Sequence, residues 1–122
     1  MTTITLPWPP STNRYWRHPT TGKLAGRHLI SEEGRRYRVA VQEQVLVQRI
    51  RPTSGRLNVE VMAFPPDRRV RDLDNLLKSL LDSLTCAGAW GDDGHIDRLA
   101  IERGPVKSGG EVVVTIQARG MP

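Results

Sequence analysis

Residues 71–88 read RDLDNLLKSLLDSLTCAG. Within them Leu73, Leu76, Leu77, Leu80, Leu81 and Leu84 recur at i, i+3, i+4, i+7, i+8 and i+11. That spacing is the period of an amphipathic helix with one apolar stripe turned to a core. Gly88 is placed to stop it, since glycine accepts the left-handed conformation at a helix C-terminus. Once the stripe is oriented, Asp74, Lys78 and Asp82, spaced by four, share a face away from the leucines. Asp72 stands before the first leucine, at or near the N-cap. Leu73 anchors the helix mouth, from which Asp72 and Asp74 both project.

Upstream, Leu57, Val59, Val61 and Ala63 alternate with Asn58, Glu60, Met62 and Phe64, which predicts a strand ended by Pro65-Pro66. Further upstream, Ser31 is a good N-cap for a helix with Glu32 and Glu33 in its first turn and Tyr37, Val41 and Val45 at intervals of four. Arg35, Arg36, Arg38 and Arg49 decorate that helix, either as a solvated face or as a nucleic-acid-facing one. Thr2–Leu6 alternates as a short strand. Ile96–Arg103 and Glu111–Ala118 read as two more, and the turn-rich GPVKSGG between them predicts a hairpin. The order is therefore strand, loop, helix, strand, helix, strand, strand. It predicts an α+β fold: one small domain over residues 1–122, with a mixed sheet of about four strands packed with two main helices. A chain of 122 residues is of the right size for one such core.

Charge divides the chain unevenly. Eighteen basic residues, 15 of them Arg, face 13 acidic ones, for a net charge of +5. All seven aspartates (Asp67, Asp72, Asp74, Asp82, Asp92, Asp93 and Asp97) fall between positions 67 and 97. The basic excess points to a polyanionic partner, and Arg suits bidentate phosphate contacts. No apolar run approaches the length of a membrane span, and MTTITLPWPP lacks a secretory pattern, so a cytoplasmic location is expected. Cys86 is the only cysteine, which excludes a disulfide framework and a Cys-rich zinc site. It reads as a small buried side chain, and His95 as an exposed turn residue. From Pro7 to Arg27 runs a Pro- and Gly-rich loop in which Trp8, Tyr15 and Trp16 are interleaved with Arg14, Arg17 and Lys23. Aromatics with Arg suit a nucleic-acid surface; the aromatics can equally serve to pack the loop. Arg14 and Arg17 are the DNA-contact candidates here.

Two carboxylates at one helix mouth, with a third nearby, repel one another unless a divalent cation joins them. Mg²⁺ takes oxygen ligands of this kind. The third carboxylate is expected in WGDDGHID, where Asp92 and Asp93 lie between Gly91 and Gly94. Such a set suits metal-dependent phosphodiester hydrolysis, with Lys78 orienting water or offsetting transition-state charge. Arg68, Arg69 and Arg71 beside it would bind phosphate. Each piece alone has a plainer reading: Asp72 as a cap, Asp74–Lys78 as an i,i+4 ion pair, Asp92-Asp93-Gly94 as a turn.

Three stretches carry a family resemblance: ITLPWPPSTNRYWRH (4–18), PPDRRVRDLDNLLKSLLDSLTCAG (65–88) and WGDDGHIDRL (90–99). In order and spacing the chain resembles the RusA family of Holliday junction resolvases; residues 22–55 match only loosely. The resemblance implies a homodimeric endonuclease, dependent on Mg²⁺ with Mn²⁺ as a substitute, that cuts four-way DNA junctions by symmetric nicks. It implies no small-molecule cofactor and a bacterial or phage origin. The family's catalytic, metal-holding aspartates fall on Asp72, Asp74 and Asp93, and its lysine on Lys78. Asn75 adjoins the motif without an assigned role. Two alternatives stand beside this expectation: a non-catalytic branched-DNA-binding module, and a nuclease acting mainly on forks or flaps.

Overall fold

The computed structural model describes residues 1–120; the last two residues of the expected 1–122 domain lie outside the described residues. The elements are β1 (Thr2–Pro7), α1 (Thr12–Tyr15), β2 (Trp16–Arg17), β3 (Leu29–Ile30), α2 (Glu32–Val47), β4 (Leu57–Phe64), α3 (Asp74–Cys86), a 3₁₀ turn (Asp93–His95), β5 (Ile96–Arg103) and β6 (Glu111–Ala118). The α+β expectation holds: one mixed four-stranded sheet and two main helices.

The predicted patterns explain the core. Leu57, Val59, Val61 and Ala63 of β4 turn inward, joined by Ile4 and Leu6 of β1 and by Val112, Val114 and Ile116 of β6. Against them pack Tyr37 and Val41 of α2 and Leu76, Leu80 and Leu84 of α3, with Leu73, Leu77 and Leu81 at the margin of the same stripe. Full burial of one such leucine contributes about 1.5–3 kcal/mol. Ser31 caps α2, its side chain accepting from Gly34 N at 2.9 Å. Gly88, at φ 81°, ends α3 in the left-handed region. Cys86 is exposed, not buried as expected: two residues beyond the buried Leu84, the helical period carries it off the core stripe. His95, expected exposed, is half-buried.

Strand order departs from the sequence reading. The sheet runs β1-β6-β4-β5, so β5 and β6 do not form a hairpin. β5 returns parallel to β4 after α3, as a β-α-β unit, and β6 lies antiparallel between β1 and β4. Composition gives the reason. β6 buries Val112, Val114 and Ile116 and fits a central slot, whereas β5, with Asp97, Arg98, Glu102 and Arg103 exposed, fits an edge. The GPVKSGG segment crosses the end of β4 to make the switch. Gly104 N donates to Ala63 O at 2.8 Å and Lys107 N to Pro65 O at 2.8 Å.

Candidate active site and nucleic-acid interface

The head of α3 is where the aspartates of interest emerge. Leu73, not Asp72, occupies the N-cap position, and it caps nothing with its side chain. Asp72 helps start the helix through its main chain, its carbonyl accepting from Asn75 N at 3.2 Å. Its carboxylate is thereby left exposed, as is that of Asp74. The expected cap role for the Asp72 side chain is absent, and so is the Asp74–Lys78 ion pair.

The preceding loop is stiffened from within. Asp67 accepts from Arg71 Nη1 at 2.7 Å and from Arg69 N at 2.9 Å. The Arg71 guanidinium beside it, followed by that main-chain N–H, brings the Asp67 carboxyl down to about 2. Arg71 also lies over the Trp8 ring, 5.8 Å from its centroid. Arg103 donates to Arg71 O at 2.7 Å, which ties the loop to β5.

Beyond α3, Asp92 caps the 3₁₀ turn by accepting from Gly94 N at 2.8 Å. That bond, then the Asp93 carboxyl and the charge of His95, lowers the Asp92 pKa. Both residues of the pair are exposed; Asp92 is engaged with the main chain, and Asp93 begins a turn packed against α3.

The seven aspartates separate cleanly by partner. Asp67 pairs with Arg71, Asp82 with Arg38 and Asp97 with Arg56, and Asp92 serves its cap. Asp72, Asp74, Asp93 and Lys78 make no ion pair among the described residues; the one side-chain neighbour of Asp93 is the Asp92 carboxyl. The three carboxylates fit an oxygen-liganded divalent ion in donor chemistry and in their lack of competing cations. They are not drawn into one coordination shell: among the described residues no three acidic, histidine or cysteine side chains are close enough to enclose an ion.

Beside Asp72 opens a groove of about 800 Å³. One wall is the Trp8–Ser11 segment with Arg14; a second is α2, through Glu33, Arg36 and Ala40; the third is the Pro66–Asp72 loop with Asn75. Of the expected DNA contacts, Arg14, Arg69 and Arg71 line it. Arg71 is turned inward onto Asp67 and Trp8. Arg17 and Arg68 are exposed outside the groove. Of the α2 arginines read as either a solvated or a nucleic-acid-facing set, Arg36 lines the groove; the rest of that wall was not legible. Glu33, Arg36 and Ala40 do follow an i, i+3, i+7 spacing, but so does any solvated helix face. Tyr15 is fully buried and so packs the loop, while half-buried Trp8 lines the groove.

Similarity to known proteins bears on this arrangement. The family profile described as "Endodeoxyribonuclease RusA" matches residues 7–117. A Shigella sonnei protein named crossover junction endodeoxyribonuclease RusA is 41% identical over 120 residues, covering 96% of this chain and 94% of its own. Proteins of the same name from Escherichia coli K12, at 40% over 120 residues, and from Enterobacteria phage 82, at 41% over 118 residues, have the same two coverages. With a profile spanning most of the sequence and relatives aligned nearly end to end, the chain belongs to the endodeoxyribonuclease RusA family.

Proposed function

We propose that this chain is a crossover junction endodeoxyribonuclease that resolves four-way DNA junctions by paired nicks, with Mg²⁺ as its metal and Mn²⁺ as a substitute. The observation that supports it is at the head of α3: Asp72, which has no cationic partner, lines an arginine-bearing groove, with Asp74 two residues on. Asp72, Asp74 and Asp93 would hold the metal. When bound, it polarises the phosphodiester and lowers the pKa of the attacking water. The protein's own groups do the remaining work. Arg14 and Arg69 position the backbone in the groove, with Arg17 and Arg68 as outlying contacts and Arg71 holding the loop. Lys78, one turn along α3 and unpaired, offsets charge at the scissile phosphate.

A four-way junction has two-fold symmetry, and a C2 homodimer presents two equal sites to symmetry-related strands. We extend the proposal to that assembly and to a single domain acting in the cytoplasm of a bacterial or phage-infected cell. No helix among the described residues is long and apolar enough to cross a membrane.

The test uses a labelled synthetic junction, a fork, a flap and a linear duplex, each with and without Mg²⁺. Junction cutting that requires metal and exceeds cutting of the other substrates is expected. Asp72→Asn, Asp74→Asn and Asp93→Asn should each cut at least ~100-fold more slowly, since a lost transition-state contact of ~3 kcal/mol has that size. Their binding should be kept or tightened, because negative charge near phosphate is removed. Lys78→Ala should lose cutting more than binding. Binding without metal-dependent cutting would identify a non-catalytic module, and faster cutting of forks or flaps would change the substrate.

A further inference from the structure

Between Arg14 and Glu33, both of which line the groove, the chain leaves the body of the protein and returns to it. Trp16–Arg17 pairs antiparallel with Leu29–Ile30. The same register sets His18 against His28, and their rings meet edge to face with centroids 4.3 Å apart. Main-chain bonds close the tip: Gly26 N to Pro19 O at 2.9 Å, Arg27 N to Leu24 O at 3.1 Å and Ala25 N to Gly22 O at 3.2 Å. At the root, Ser31 donates to Tyr15 O from both N and Oγ, each at 2.9 Å. The segment is internally bonded, yet every residue from Thr20 to His28 is exposed.

Its charge is of one sign. Arg17, Lys23 and Arg27 lie on it, and no carboxylate occurs anywhere from Met1 to Ser31. None of these three cations forms an ion pair among the described residues. An exposed segment carrying unpaired charges of one sign attracts a polyanion. Its two ends lie two and three residues from the groove-lining Arg14 and Glu33, so the arm begins and ends beside the groove.

We propose that residues 16–30 form a cationic arm that grips the phosphate backbone of a DNA branch beyond the groove, with Lys23 and Arg27 as its phosphate contacts. The proposal rests on the reading that this chain binds branched DNA. Because the arm is already closed by its own hydrogen bonds, little conformational freedom is lost on binding. Each phosphate neutralised on duplex DNA contributes about 0.9 to the slope of log affinity against log salt.

The experiment compares wild type with Lys23→Gln/Arg27→Gln for binding to a labelled four-way junction in EDTA, over roughly 50–200 mM salt. The slope should fall by about 1.8, for two contacts at ~0.9 each. The charge-keeping Lys23→Arg/Arg27→Lys variant should retain the wild-type slope. On junctions with successively shorter branches the wild type should lose the same increment, and the difference between the proteins should vanish. An unchanged slope in the double Gln variant overturns the arm. So does a slope difference that persists on the shortest branches, which would place both cations at the branch point. Wild type that binds no junction at all refutes the function proposed above, which is a separate outcome. Both substituted side chains are exposed, and thermal unfolding verifies that the variants fold.

Discussion

Asp82→Ala removes the one aspartate that joins three helices. Asp82 Oδ2 accepts from Arg38 Nη2 at 2.7 Å and Nε at 3.2 Å, and from the Tyr15 hydroxyl. That hydroxyl also accepts from Arg38 Nε at 2.7 Å and from Ser83 Oγ at 3.2 Å. Burial, then the bond to Asp82, pushes the Tyr15 phenol up to about 12, so it stays a neutral donor through the physiological range. The substitution strands the Arg38 charge and leaves the hydroxyl of a fully buried tyrosine without its acceptor. Hydrogen bonds to a charged group contribute about 1.5–3 kcal/mol each, and an orphaned buried donor costs about 1–3 kcal/mol. The Arg38 and Asp82 side chains are each 28% exposed, so water recovers part of this. We expect a loss of about 2–4 kcal/mol, below the upper range for fully buried pairs. In urea, at a slope of about 2 kcal/mol per molar, the midpoint should fall by roughly 1–2 M. Pairing Asp82→Ala with Arg38→Met should recover part of the loss, because the stranded cation is gone. A loss below about 1 kcal/mol, or no recovery in the double variant, would refute the claim that this network fastens α1, and with it Arg14, to the helices behind the groove.

Two further outcomes follow from close contacts and charge. Gly34→Ala would drive a Cβ into Tyr15 O and to 2.8 Å from Ile30 Cγ1. Although alanine gains about 1 kcal/mol of helix propensity, the backbone clash should leave a net destabilisation of about 1–3 kcal/mol by chemical denaturation; a more stable variant would contradict the packing at the arm's root. Asp67 has a folded pKa of about 2 against about 3.9 in an unfolded chain. Because the folded value is the lower one, its stabilisation is fully present above pH ~4 and is lost as pH falls through 2. The acid unfolding profile of Asp67→Asn should lack that component, followed by tryptophan fluorescence because Arg71 sits over Trp8; coincident profiles for variant and wild type would argue against the Asp67–Arg71 clasp.

Local periodicity carried much of the architecture. The leucine stripe of α3, the alternation of β4, the Ser31 cap and the Gly88 stop each depend on residues within a few positions of one another, where backbone geometry alone dictates which side chains share a face. The same locality placed Asp72 and Asp74 together at the head of α3. Strand order was beyond its reach: β6 sits between β1 and β4 because of which strand can be buried along both edges, a comparison made across the whole chain. So were the ion-pair partners. Asp82 shares a sequence face with Asp74 and Lys78, yet it is claimed by Arg38, 44 positions earlier, while Arg71 turns inward to Asp67 instead of facing solvent. By itself the sequence determined that acid would gather near one helix mouth in a basic chain. Only the tertiary structure decided which four aspartates are engaged by the protein itself and which three are left without cationic partners, because that depends on charges brought together across distant segments.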